Sequence, residues 1–271
     1  MGLATAHELA RQGMNLVLVH RDRRGSLPTI EAEFQRMGQT GADVLSFNLN
    51  ALQADKRQQM IAKIGEHLAQ RGGELRMLLH AISRGNLKRL APAADPPATL
   101  APELQAAFAQ LSPTPPDTGE ALLNETDLAL TLQAMGSSLW GWTDEVRRAG
   151  LFAADARILA LTSEGNQRAW PYYAAVSAAK ATLEALVRAM ARELAPYGLR
   201  SNVIQAGITD TPSLRLIPGS EQLKNSALLR NPFGRLTTPE DVAKVVALLC
   251  TDHAAWINGA LIPVDGGERL G

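Results

Sequence analysis

Tyr173 and Lys180 stand seven residues apart at the start of a helical pattern over residues 174–195. At about 100° per residue, seven positions return a side chain to within roughly 20° of its starting direction, so phenol and ammonium share one face two turns apart. Tyr172 is turned by roughly a further 100°, and Tyr197 follows Pro196 beyond the helix. Of the three tyrosines, a reacting phenol would therefore be Tyr173. With a free pKa near about 10 it is protonated at neutral pH and can donate a hydrogen bond to an oxygen gaining negative charge. Each residue also has a plain reading, a helix-start aromatic and a solvated helix lysine. Other chemistries lack their residues. Cys250 is the single cysteine, so intrachain disulfides and cysteine-based zinc sites are excluded. His7, His67 and His253 are scattered without ligand spacing and read as surface or packing residues.

The elements that must position this pair are legible as alternating patterns. Residues 15–20, 43–47, 76–82, 157–162, 200–205 and 260–264 are short, nearly continuous apolar runs, the pattern of strands buried on both faces. Helical periodicity occupies residues 3–12, 28–37, 56–70, 128–149, 174–195 and 239–250. This alternation predicts one α/β domain over residues 1–271, an open doubly wound parallel sheet of Rossmann-like type. The 271 residues are 46% hydrophobic, enough for a sizeable core, and 27 Lys+Arg cancel 27 Asp+Glu. Zero net charge gives no footprint for nucleic acid or an anionic membrane, and no apolar run reaches the roughly 18 residues of a membrane span. A neutral cytoplasmic enzyme is the expectation. Residues 91–118 break the rhythm with seven prolines, which suit either an extended surface insertion or a flap beside a site mouth.

From Arg157 onward the chain resembles the short-chain dehydrogenase/reductase family. The resemblance rests on Ile158–Ser163, Tyr173-Ala-Ala-Val-Ser-Ala-Ala-Lys180, residues 200–211, Asn231-Pro-Phe-Gly-Arg-Leu236 and Asn258–Gly267. Most members place tyrosine four residues before lysine, where this chain has Val176; the Tyr-x6-Lys spacing is similar to bacterial enoyl-acyl-carrier-protein reductases. His80-Ala-Ile-Ser83, Arg168-Ala-Trp-Pro171 and Ala206-Gly207 resemble the same branch.

That resemblance implies hydride transfer from a nicotinamide cofactor to the β-carbon of an enoyl thioester, with Tyr173 bonding the enolate oxygen and Lys180 holding the nicotinamide ribose. Ser163 departs from the branch, which commonly has a second tyrosine there, and matches the catalytic serine of the wider family; it reads as a substrate-carbonyl donor or as a cap after the strand. By position, Gly2, Asn48, Leu49, Ala81, Ile82, Ala206, Gly207, Ile208, Thr209 and Thr211 fall at cofactor contacts, Ile208 and Thr209 through their backbone at the carboxamide. Arg21, Arg23 and Arg24 suit a 2′-phosphate, so NADPH is favoured over NADH; three arginines in a turn also read as solvated surface. Residues 212–230 match the substrate-covering segment. Gly2 matches the last glycine of the family's phosphate-binding turn, so the first strand is missing, and a late-assigned start methionine is the expectation. Such a loss leaves a gap and two unpaired strand edges. The resemblance also implies an acyl thioester substrate on acyl carrier protein and a homotetramer. Its alternatives are a keto or alcohol oxidoreductase using Ser163, or a shortened inactive member acting in assembly.

Overall fold

The computed structural model describes residues 1–92, 101, 104 and 121–271, so nearly all of the proline-rich stretch at 91–118 lies outside the described residues. Strands β1 (Leu16–His20), β2 (Val44–Asn48), β3 (Leu75–His80), β4 (Phe152–Ser163), β5 (Leu199–Ala206) and β6 (Leu261–Val264) fall on the six apolar runs. All their pairings are parallel: β1 with β2, and β3-β4-β5-β6 in that order. Side-chain alternation along β4 shows how the sheet is covered. Ala156, Ile158 and Ala160 point to one face and pack on Leu183, Val187 and Met190 of helix α6 (Ala174–Glu193). Leu159 and Leu161 point to the other and pack on Val242, Val246 and Leu249 of α9 (Pro239–Cys250). Both sets are buried, which is why the run reads as continuously apolar.

The remaining helices complete the two layers. Helix α1 (Gly2–Arg11) packs Ala6, Leu9 and Ala10 against Ala247 and Cys250 of α9 and Leu16 of β1, with Met37 of α2 (Leu27–Gly38). On the opposite face, α3 (Ala54–Arg71) brings Met60, Ile61 and Ile64 onto Trp142 and Val146 of α5 (Ser138–Arg148). Helix α4 (Glu125–Leu132) runs into α5 through a π-helical turn at Gln133–Ser137. Its Gly136 lies against α6, where a Cβ would come within 2.9 Å of the Ala179 carbonyl. Two helices lie outside the patterns read from sequence, α7 (Pro212–Arg215) and α8 (Ser220–Arg230). No helix among the described residues is long and apolar enough to cross a membrane.

The sheet has a seam. Among the described residues no strand pairs β1 with β3, and the two meet through side chains: Leu18 and Met77 in one cluster, Val17, Leu75 and Leu78 in another. Residues Leu75–Leu79 of β3 are only half-buried, whereas Ala156–Leu161 of β4 are all buried. Among the described residues, β1 and β3 each therefore have one edge unpaired.

Candidate active site

Because every strand pair is parallel, one edge of the sheet collects all the strand C-termini, the edge at which open α/β sheets bind ligands. The segment after β4 turns through Glu164–Asn166, and α6 begins at Ala174. Tyr172 has φ 70°, a left-handed turn rare for a bulky residue, and this turn separates two adjacent phenols. Tyr172 is buried with an unpartnered hydroxyl, its ring 5.3 Å from the Arg89 guanidinium. The Tyr173 hydroxyl lies 3.4 Å from Ser163 Oγ. Two residues before Ser163, the Leu161 carbonyl accepts from Lys180 Nζ at 2.7 Å. Tyr173, Lys180 and Ser163 thus converge on the last rungs of β4.

Burial sets the protonation of this trio. It raises the Tyr173 phenol above its ordinary value, opposed by the Ser163 hydrogen bond, so the phenol is a donor at neutral pH. It pushes the Lys180 ammonium down to about 8, while the Glu184 carboxylate, itself held by Thr162 Oγ1 at 2.7 Å, pulls the other way. Behind the lysine, buried His80 is pushed down to about 3, chiefly by desolvation and then by the Lys180 charge. Ser138 Oγ donates to the Ala134 carbonyl at 3.0 Å, so His80 Nε2 must donate to Ser138 at 2.7 Å. His80 Nδ1 is left buried without a partner.

Gly165 also defines the trio, although no sequence pattern singles it out. A Cβ there would come within 2.5 Å of Tyr173 Cε1 and 3.1 Å of Cδ1, so the phenol ring rests directly on the glycine.

The other positions singled out in the sequence sit around the same edge. The first turn of α1 has no side-chain cap, and a Cβ on Gly2 would lie 3.3 Å from that of Ala81. Uncapped amides and a helix N-terminus suit a pyrophosphate, and Ala81 is exposed beside them. Lys180 spends one donor on the Leu161 carbonyl, leaving others for ribose hydroxyls. Arg21, Arg23 and Arg24 are exposed after β1, while Asp22 turns to His20 Nδ1 at 2.8 Å. The residues present therefore fit a dinucleotide.

Several positions have local partners. Asn48 Oδ1 accepts from Asp22 N at 3.0 Å, so it braces the arginine turn, and Leu49 packs into the α3–α5 cluster. Ile82 is half-buried. Thr209 Oγ1 donates to Gly207 O at 3.0 Å, and Thr211 Oγ1 caps α7 by accepting from Leu214 N at 3.2 Å. Ala206 ends β5 buried. The Ile208 amide donates to Glu268 Oε2 at 2.9 Å, which leaves its carbonyl for any ligand. Glu268, Gly165 and the His80–Ser138 pair are the local features sequence reasoning missed; His80 stood inside the His80-Ala-Ile-Ser83 motif without a role.

A covered parallel sheet with a tyrosine and a lysine two turns apart at its C-terminal edge is the architecture of short-chain dehydrogenases/reductases. The family model described as enoyl-(acyl carrier protein) reductase matches residues 105–268, more than half of the chain, and the chain belongs to that family. It is 40% identical over 116 residues to 1-cyclohexenylcarbonyl-CoA reductase of Streptomyces collinus, covering 42% of this chain and 41% of that protein. It is 42% identical over 94 residues to 3-oxoacyl-[acyl-carrier-protein] reductase FabG of Pseudomonas aeruginosa, covering 35% and 37%. The matches span less than half the length of these curated relatives. Among solved structures, Bacillus cereus enoyl-acyl carrier protein reductase with NADP+ shares the fold with a TM-score of 0.78 at 23% identity, over 99% of this chain and 91% of that one.

Proposed function

We propose that the site reduces the carbon–carbon double bond of an enoyl thioester with NADPH, NADH being the weaker donor. The observation that carries this reading is the pair Tyr173 and Lys180, seven residues apart at the start of α6, with Lys180 anchored on the Leu161 carbonyl at the end of β4. A bound reduced nicotinamide supplies the hydride. Tyr173, protonated by virtue of burial, donates to the thioester oxygen as enolate charge develops on it. Lys180 holds the ribose hydroxyls and adds positive charge near the phenol. Uncapped α1 amides receive the pyrophosphate, and Arg21, Arg23 and Arg24 the 2′-phosphate. In this reading the acyl group arrives on acyl carrier protein, and the chain works as a homotetramer.

A second reading, reduction of a β-keto thioester, is favoured by one observation. Ser163 is near enough to Tyr173 for both hydroxyls to hold one carbonyl oxygen, the arrangement a ketone would use. Following NADPH oxidation with crotonyl and acetoacetyl thioesters separates the two. Turnover of the crotonyl thioester alone supports the first, and turnover of the acetoacetyl thioester alone replaces it with the second.

A further inference from the structure

Glu268 is 2% exposed, which for a carboxylate demands partners. Its Oε2 accepts the Ile208 amide at 2.9 Å and its Oε1 accepts Arg230 Nη2 at 3.1 Å. Arg230 ends α8, and its Nη1 spans the Glu268 carbonyl at 3.2 Å and Glu164 Oε2 at 3.1 Å. Glu164 is the residue after Ser163 and also holds Arg168 Nε at 2.5 Å. The turn carrying Glu268 is fixed by Asp265, whose Oδ1 accepts Gly267 N at 3.0 Å and whose Oδ2 accepts Arg269 N at 3.2 Å. Glu268 and Arg230 together therefore join the loop after β5, the end of α8 and the turn after β4, the last of which carries Ser163 and Gly165 against Tyr173. The approach depends on Gly207, where a Cβ would come within 2.7 Å of Glu268 Oε2 and 2.5 Å of Thr237 Oγ1.

We propose that Glu268 is a positioning residue: with Arg230 it clamps the loop over residues 207–211 and the covering helices α7 and α8 to the Ser163 turn, so presenting the nicotinamide end of the site. What the loop presents rests on the reading above; the clamp itself is defined by its contacts. The groups facing Glu268 are the Arg230 guanidinium from α8, the Glu164 carboxylate from the β4 turn with Arg168 behind it, and Asp265 from its own turn with Arg269 at 3.7 Å. Burial, with Glu164 and Asp265, raises the Glu268 carboxyl above its ordinary value, against the Ile208 amide and Arg230. Protonation removes the charge-assisted bond to Arg230, so the clamp loosens as pH falls, beginning above the ordinary glutamate range of about 4.3.

The test uses the full chain as wild type, Glu268→Gln and Glu268→Ala, at a series of pH values between about 5 and 8. Amide exchange of a peptide covering residues 207–216 is read without nucleotide, and NADPH affinity by its fluorescence. Glu268→Ala should raise exchange and weaken NADPH by about tenfold each near neutral pH, the loss of one buried charge-assisted bond. Glu268→Gln stands in for the protonated carboxyl: it keeps an acceptor for the Ile208 amide but loses the charge, so near neutrality its exchange should already sit at the raised level that wild type reaches in acid, below that of Glu268→Ala. It should also abolish the acid-side rise in exchange, a change that loss of packing alone would not produce. Equal exchange in all three proteins, or a wild-type acid limb in Glu268→Gln, overturns the proposal. Tighter NADPH binding by Glu268→Ala overturns it too, because the carboxylate would then be a competitor for the Ile208 amide. If Glu268→Ala fails to fold, the acid limb of Glu268→Gln decides. A wild type that binds no nicotinamide nucleotide refutes the assigned ligand, and the exchange profile still decides the clamp.

Discussion

Gly165→Ala isolates the placement of the phenol from every other property of the site. The backbone at Gly165 is not left-handed, so alanine fits it without conformational strain. The added methyl would sit 2.5 Å from Tyr173 Cε1 and 3.3 Å from Cζ, whereas carbon atoms pack at about 3.5–4.0 Å. The ring must therefore retreat by roughly 1 Å. The hydroxyl contact to Ser163 is already 3.4 Å, and a retreat of that size ends it. Misplacing a reacting group by about 1 Å costs on the order of 100-fold in turnover. In steady-state NADPH oxidation with a crotonyl thioester, we expect kcat to fall by about that factor, with KM for NADPH nearly unchanged. The melting midpoint should hold or rise slightly, since alanine also restricts the unfolded chain by about 0.4–1 kcal/mol. A kcat within about threefold of wild type, with an unchanged midpoint, would refute the argument that Tyr173 acts from this position.

Replacing Tyr172 by phenylalanine removes a buried hydroxyl without a partner, so stability in urea should hold or rise by about 1 kcal/mol with kcat retained; Tyr173→Phe should lower kcat strongly at unchanged stability. His80, held down to about 3, makes the fold acid-sensitive. Below about pH 6.5 the unfolded histidine takes up a proton that the folded one refuses, so stability falls as pH drops from about 6.5 towards 3. His80→Gln should flatten urea midpoints measured across that window; an unchanged slope would remove His80 as its cause. Lys180, held down to about 8, loses its charge as pH rises through that value, and NADPH affinity should show an alkaline limb there. Arg21→Ala with Arg23→Ala should weaken NADPH about tenfold and NADH little; equal losses would show that the arginines do not read the 2′-phosphate.

Where a side chain's partners were near in sequence or repeated with a period, the chain announced its structure. The six strands and six long helices fell close to their patterns because each buries a continuous or periodic apolar face. Helix α8 escaped notice because it buries only Ala227 and so has no apolar stripe. The first rungs of β4 were missed for a different reason. The run read as a strand begins only at Arg157, because Asp155 and Arg157 are not apolar, yet Arg157 is 1% exposed, satisfied by Asp155 and by the carbonyls of Leu249 and Thr251. Those carbonyl partners lie more than ninety residues away, beyond any local pattern. The same distance hid Glu268, whose partners Ile208 and Arg230 are 60 and 38 residues off. Tyr173 and Lys180 were legible because a helix brings together residues seven apart; the resting of Tyr173 on Gly165 was not, because a missing methyl leaves no mark on a sequence.

The seam between β1 and β3 distributes cohesion unequally. The arginine turn hangs from a two-strand ladder, and the phenol from a four-strand ladder, with only side chains between them. Without a shared backbone ladder, the two halves need not open at the same free energy. A ligand reaching from the arginines to Lys180 grips both, and its binding energy is added to the stability of the joined state alone. The dinucleotide would then act as a staple across the seam, and the protein would open and close as one body only while it is held.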